Sequence, residues 1–207
     1  AEVARKSLAF EGESHQSSWP YPNIASALSA QKHCHRNNSE CSSSVKDFLG
    51  TSCLIVDQRS TPSAKAFWQH TGLGLSSREA AIALGREKEP STSEGHCARN
   101  ELLNRLANIY TCDSSLIQLH RSGMAALTTT LSAIKCITGN SSVLQIGFPY
   151  VDVLKLPQNI YEGSDLLIKT NLNYIKKELD KKKPAAIIIE IPSNPLLKCV
   201  DLISISK

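Results

Sequence analysis

The sequence predicts an α/β fold: a mostly parallel sheet with flanking helices, preceded by an irregular polar extension over residues 1–52. Three observations carry this expectation. From residue 98 onward, strand-like and helix-like segments alternate along the chain. Residues 185–190 (AAIIIE) are apolar on both faces, as a parallel strand covered by helices on each side must be. The first fifty residues, by contrast, are rich in Ser, Asn and His and hold no sustained period. At 207 residues the chain has room for one large domain, or for one domain and an extension.

The elements follow in order. Trp19-Pro20-Tyr21-Pro22 breaks any helix, and only residues 24–30 suit a short helical piece. Residues 53–57 (CLIVD) read as a short buried strand, and Thr61-Pro62 punctuates after it. Ser76, followed three residues later by Glu79, is a capping-box pattern opening a helix to about Leu84, with Gly85 near its end. Residues 88–97 form a loop. Leu102, Leu103, Leu106, Ala107 and Ile109 make one apolar stripe at helical spacing. Residues 116–119 read as a short strand, and 122–137 as a long apolar helix ended by Gly139. Strands at 143–146, 166–168 and 185–190 alternate with a turn at 147–150 and an amphipathic helix over 171–179, closed by Lys183-Pro184. There are no internal repeats.

Composition narrows the function classes. An apolar fraction of 41% supports a real core and argues against a wholly disordered chain. Aromatics are scarce at 5%, so aliphatic side chains must do most of the packing. The net charge of +4 is mild, and its largest cluster (Lys176, Lys177, Lys181, Lys182, Lys183) reads as a solvated helix end. Without interleaved aromatics or a basic stripe, no nucleic-acid partner is expected. No apolar run reaches the ~18 residues of a membrane-spanning helix, so no membrane partner is expected either. Seven cysteines, odd in number and without a framework, together with the lack of a charged-then-apolar leader, suit a cytoplasmic protein. His33-Cys34-His35 with Cys41 invites a zinc reading. Structural zinc sites draw ligands from two separated groups, so one crowded group reads instead as a polar loop, and no metal is expected.

Ligands of open α/β sheets bind beyond the carboxyl ends of the strands, which selects three segments. In His120-Arg121-Ser122-Gly123-Met124, Ser122 suits an N-cap and Gly123 lets a ligand approach the freed N–H groups; the turn is a phosphate site or simply a capped helix. Phe148-Pro149-Tyr150 places a flat ring at the same edge, as a stacking plate or as packing. In Glu190-Ile-Pro-Ser-Asn194-Pro195 two prolines fix the loop around Asn194. A phosphate cradle, an aromatic plate and a fixed amide together suit an aromatic phosphorylated cofactor, and pyridoxal 5'-phosphate fits that description.

These residues also carry a resemblance. Arg121-Ser-Gly-Met-Ala-Ala126 resembles the phosphate-binding turn of the pyridoxal-phosphate enzymes of cysteine and methionine metabolism. Residues 147–155 (GFPYVDVLK) and 190–198 (EIPSNPLLK) resemble the next two blocks of that family, in order. Phe67-Trp-Gln-His-Thr-Gly72 with Leu75-Ser-Ser-Arg78 is closest to its fungal-type cystathionine γ-synthase branch. The resemblance spans roughly residues 53–207, while residues 1–50 match no family by motif. It implies the fold-type I (aspartate aminotransferase-like) domain over 53–207, incomplete here. It also implies phosphate binding by Ser122, Gly123 and Met124, ring stacking and assistance to proton transfer by Tyr150, and contacts from Asn194 to the ring hydroxyl and the substrate carboxylate. Arg99, in Cys97-Ala-Arg99, resembles the arginine of a Tyr-x-Arg motif that reaches a neighbouring subunit's phosphate; the plainer reading is a surface arginine near a helix start.

Departures accompany the likeness. Cys97 stands where that motif has tyrosine, and an alternative alignment sets Ser91 and Ser93 opposite the pair. Lys135, Lys155, Lys169 and Lys198 do not match the loop whose lysine anchors the cofactor, so the chain alone is expected to be inactive. The implied activity of the complete enzyme is γ-replacement on an activated homoserine ester, a small amino-acid substrate, in a homo-oligomer. Lyase and sulfhydrylase activities share the same blocks. A non-catalytic relative acting as a binding or assembly subunit is the alternative from another class.

Overall fold

The computed structural model describes residues 1–11, 15–139, 142–160, 163–193 and 196–205. The chain divides into two units, one formed by residues 1–68 and 73–126, the other by 69–72 and 127–207.

The first unit corrects the expectation for residues 1–52: those described form regular elements and not an irregular extension. They fold as α1 (Glu2–Glu11), β1 (Gln16–Tyr21), α2 (Ile24–Asn37), β2 (Ser43–Phe48) and the start of β3 (Thr51–Asp57). The three strands make an antiparallel sheet in the order β1-β3-β2. Central β3 is buried along six of its seven residues. Its alternating side chains serve two layers: Leu54 and Val56 pack with Ala27, Ala30 and Cys34 of α2, while Cys53 packs with Val3 of α1. Small residues on α2 let that helix lie close to the sheet.

Pro20 occurs within β1, where it pairs with Cys53. A residue without an N–H fits only an edge strand, and β1 is one. The carbonyl of Pro20 accepts from Leu75 N–H at 3.0 Å and from Trp68 Nε1 at 3.2 Å. The β2–β3 hairpin turns on Leu49 (φ 52°) and Gly50 (φ 71°), both left-handed, as a two-residue turn joining right-twisted strands requires. Thr61 and Pro62 open a helix, α3 (Thr61–Thr71), where proline's fixed φ suits the first turn.

The capping box is present as expected: Ser76 Oγ accepts from Glu79 N–H at 3.2 Å, and Glu79 Oε2 accepts from Ser76 N–H at 2.9 Å, opening α4 (Ser77–Ala83). The expected loop at 88–97 is helical from residue 92, because Ser91 caps α5 (Thr92–Tyr110). The expected strand at 116–119 does not form. Residues 114–116 are a 3-10 turn capped by Asp113, and the chain runs on without a strand partner.

The second unit matches the predicted alternation more closely. After α6 (Gly123–Thr138), it runs β4 (Val143–Ile146), α7 (Val151–Ile160), β5 (Ser164–Leu167), α8 (Leu172–Lys182), β6 (Ala186–Ile189) and α9 (Leu202–Ile205). Its sheet is parallel, in the order β5-β4-β6. Leu144 and Ile146 of β4 share one core with Leu167 of β5 and Ile175 of α8. Gln145 points to the other face, where its Nε2 donates to Leu154 O of α7 at 3.0 Å. The fold is therefore α/β, but the parallel sheet is small and, among the described residues, the antiparallel one accounts for three of six strands. No helix among the described residues is long and apolar enough to cross a membrane.

Candidate functional site

In the parallel unit, β4 runs into Gly147-Phe148-Pro149-Tyr150 and then α7. Gly147 N–H extends the ladder by donating to Leu167 O at 2.8 Å, and its φ of 91° then turns the chain out of the sheet, a conformation glycine adopts without strain. Tyr150 caps α7, its carbonyl accepting from Leu154 N–H at 2.9 Å. Its own N–H donates to Glu190 Oε2 at 2.6 Å, tying the end of β4 to the end of β6. Tyr150 is 46% exposed. The nearby Asp152 carboxylate raises its phenol above the ordinary pKa.

Asp152 has a second partner, since its Oδ1 accepts from His70 Nδ1 at 2.7 Å. A carboxylate offers no proton there, so the ring proton sits on Nδ1. The terminal residues of α3 are held in this unit by a further bond, from Thr128 Oγ1 to Thr71 O at 2.7 Å. The His70–Asp152 pair and the Tyr150–Glu190 pair thus lie close together at the start of α7, beyond the carboxyl end of β4. Beside it lies a cleft of about 50 Å³ bordered by Gly147, Phe148, Thr170, Glu190, Ser193 and Lys198. That volume holds a water or two, not an aromatic ring. A ring stacked on Tyr150 would lie outside this cleft.

Buried Ser193 organises the loop after β6: its Oγ accepts from Lys198 N–H at 3.1 Å and its N–H donates to Lys198 O at 2.9 Å. Asn194 lies outside the described residues.

The helix-start segment belongs to the first unit. Ser122 caps α6, its Oγ accepting from Ala125 N–H at 3.1 Å. Ser122 and Gly123 are exposed, and Met124 is half-buried. A Cβ placed on Gly123 would meet nothing within 4 Å. Arg121, next in sequence, forks onto Glu79 at 2.9 and 2.7 Å, the same carboxylate that closes the α4 capping box. Arg99 is exposed on α5, as is Cys97.

Sequence reasoning singled out Tyr150 and the Ser122 turn but gave no role to Asp152, His70 or Glu190. All three stood within the quoted motifs, yet 82 residues separate His70 from its partner. The expected polar loop at His33-Cys34-His35 is instead part of α2, with His33 and Cys34 buried. Among the described residues no group of three or more His, Cys, Asp or Glu could hold a metal ion.

Residues 1–76 match the profile of the family described as fungal trans-sulfuration enzyme, N-terminal domain. The match therefore takes in the first fifty residues, to which no motif had attached a family. An L-2-amino-4-chloropent-4-enoate dechlorinase/desaturase of Streptantibioticus cattleyicolor is 28% identical over 165 residues, covering 72% of this chain and 33% of that protein. A cystathionine γ-synthase of Neurospora crassa is 28% identical over 123 residues, covering 56% of this chain and 20% of that protein. The chain thus spans about a third and a fifth of the length of these relatives. No solved structure matches. The resemblance to cystathionine γ-synthase-like enzymes of the fungal type holds, and it is anchored at residues 1–76, which are similar to the N-terminal domain of fungal trans-sulfuration enzymes.

Proposed function

We propose that this chain is the N-terminal portion of a pyridoxal-phosphate-dependent trans-sulfuration enzyme of the fold-type I class. The complete enzyme would make cystathionine by γ-replacement on an activated homoserine ester. The observation that carries this reading is the union, in one chain, of a segment similar to the fungal trans-sulfuration N-terminal domain with a parallel-sheet unit that presents Tyr150 at its carboxyl edge.

The residues present fit the cofactor. Exposed Ser122 and Gly123 at a helix start suit a phosphate. The half-exposed ring of Tyr150 suits stacking on a pyridine. When bound, the cofactor supplies the electron sink that substrate carbanions need. This chain's part is to hold it: Ser122, Gly123 and Met124 at the phosphate, Tyr150 at the ring, and Asn194 at the ring hydroxyl and the substrate carboxylate. Arg99 is assigned to the phosphate of a neighbouring subunit in a homo-oligomer.

Titration of the purified chain with pyridoxal phosphate, followed by absorbance and induced circular dichroism, tests the reading. Saturable binding is expected, weakened about threefold to tenfold by Tyr150→Ala through loss of ring stacking. Inorganic phosphate should compete in wild type and compete less well against Ser122→Ala. A folded chain with no saturable signal up to millimolar cofactor would overturn it.

A further inference from the structure

We propose that Glu190 is a positioning residue for Tyr150: reaching across from the end of β6, its carboxylate holds the Tyr150 main chain at the start of α7 and so fixes the point from which the aromatic ring projects. The inference rests on the reading that Tyr150 meets the cofactor ring, and it adds the group that sets where that ring stands.

N–H groups at a helix start have no acceptor within their own helix. α4 solves this locally: Glu79, three residues after Ser76, reaches back and accepts from Ser76 N–H at 2.9 Å. α7 has Val153 at the matching place after Tyr150, a side chain with no acceptor. The Tyr150 N–H is taken instead by Glu190 Oε2, 40 residues away in sequence, at 2.6 Å. A local capping box fixes a helix start only on itself, whereas this contact fixes it to a neighbouring strand. Glu190 follows directly on β6, whose Ile189 is in register with Ile146 of β4. The turn from β4 to α7 is therefore held at both ends, by Gly147 N–H on Leu167 O of β5 at 2.8 Å and by Tyr150 N–H on Glu190. The carboxylate also lies at the end of α7 where the helix dipole favours negative charge. Glu190 is half-buried, and the loop beyond it is tied by Ser193 to Lys198, so the clamp is mounted on backbone that is itself held.

A bare tether of α7 would use the same hydrogen bond, so the test reads both the Tyr150 amide and the cofactor. The full chain labelled with nitrogen-15 at tyrosine gives a Tyr150 amide signal, assigned by its loss in Tyr150→Phe. In wild type this amide should exchange with solvent at least about tenfold more slowly than an unbonded one, because its protection must come from outside the helix. Glu190→Ala should remove that protection. Glu190→Gln, which keeps an acceptor oxygen on the same stem, should retain most of it. Pyridoxal phosphate affinity should drop about threefold to tenfold in Glu190→Ala, the worth of a stacked ring, and stay within about twofold of wild type in Glu190→Gln. Inorganic phosphate, which has no ring to stack, should bind both variants as it binds wild type.

A wild-type Tyr150 amide that exchanges like an unbonded one would overturn the proposal, and this measurement needs no variant to fold. Lost protection in Glu190→Ala with unchanged cofactor affinity would also overturn it, leaving a tether that does not position the ring. So would a parallel loss of inorganic phosphate binding, the mark of a general loosening. Amide protection that follows Glu190 as expected, in a chain that never binds the cofactor saturably, would support the clamp and remove the cofactor reading instead.

Discussion

His70 Nδ1 and Asp152 Oδ1 lie 2.7 Å apart across 82 residues of sequence, shielded to 8% and 17% exposure. A pair this shielded leaves one polar group unsatisfied when its partner is removed, at about 1–3 kcal/mol. Asp152→Ala and His70→Ala should therefore each lower the urea midpoint of the second unit. The double variant should cost clearly less than the sum of the two, because the second truncation removes a group already orphaned. Strict additivity in that cycle would show that the contact contributes nothing of its own.

His33 supplies a pH dependence of known sign. Burial against Phe67, and then the adjacent Arg36 charge, lower its pKa to about 4. Unfolded, the same imidazole titrates near 6.5. Between those values the unfolded chain binds a proton that the folded chain refuses, so stability is complete above about pH 6.5 and falls as the pH drops toward 4. The full loss from this one residue is about 3 kcal/mol. Urea unfolding of wild type and His33→Gln at pH 7 and pH 4.5 should show a steeper decline in wild type. Parallel declines would mean that His33 does not drive the acid sensitivity.

Legibility in the sequence followed how local the determining physics was. The capping box at Ser76 and Glu79, the Ser122 cap and the strand β6 are written in a few adjacent residues, and all form, although β6 lies at the edge of its described sheet with Ile187 exposed and is not covered on both faces as its apolar run implied. β1 and β2 were not legible. Gln16–Tyr21 holds two serines and a proline, and Ser43–Phe48 places Lys46 and Asp47 in a half-exposed edge strand, so neither shows the alternation that marks a strand. Only the burial of β3 between them makes those segments strands, and that is a tertiary effect. The site divides the same way. Tyr150 was visible because it follows a strand, whereas His70 and Asp152 acquire a role only once folding brings the end of α3 to α7.

The hairpin turn at Leu49-Gly50 is open to improvement. Leu49 is held at φ 52°, a left-handed conformation that clashes with its Cβ, and its side chain is half exposed. Asparagine tolerates that conformation and is favoured in this turn type. Leu49→Asn should stabilise the antiparallel sheet by about 0.5–1 kcal/mol, seen as a raised thermal midpoint with unchanged far-ultraviolet dichroism. A lowered midpoint would show that the exposed leucine contributes more through contacts than its backbone costs.

Gly74 is required for a different reason. A Cβ there would lie 2.4 Å from the Trp68 indole nitrogen, well inside contact distance. That nitrogen donates to Pro20 O, and the indole packs 6.2 Å from Trp19, so Trp68 fastens the edge strand β1 to the end of α3. Gly74→Ala must push the indole away, breaking the hydrogen bond and loosening the tryptophan pair. The expected cost is about 1–3 kcal/mol, the range for overpacking. Because Trp19 and Trp68 are the chain's two tryptophans, the change is directly readable. Fluorescence should move to longer wavelength as Trp68 enters water, and a Trp68→Phe background should abolish most of that shift. An unshifted spectrum with unchanged stability would mean that the indole has another place to pack, and that the glycine is not what holds β1 in place.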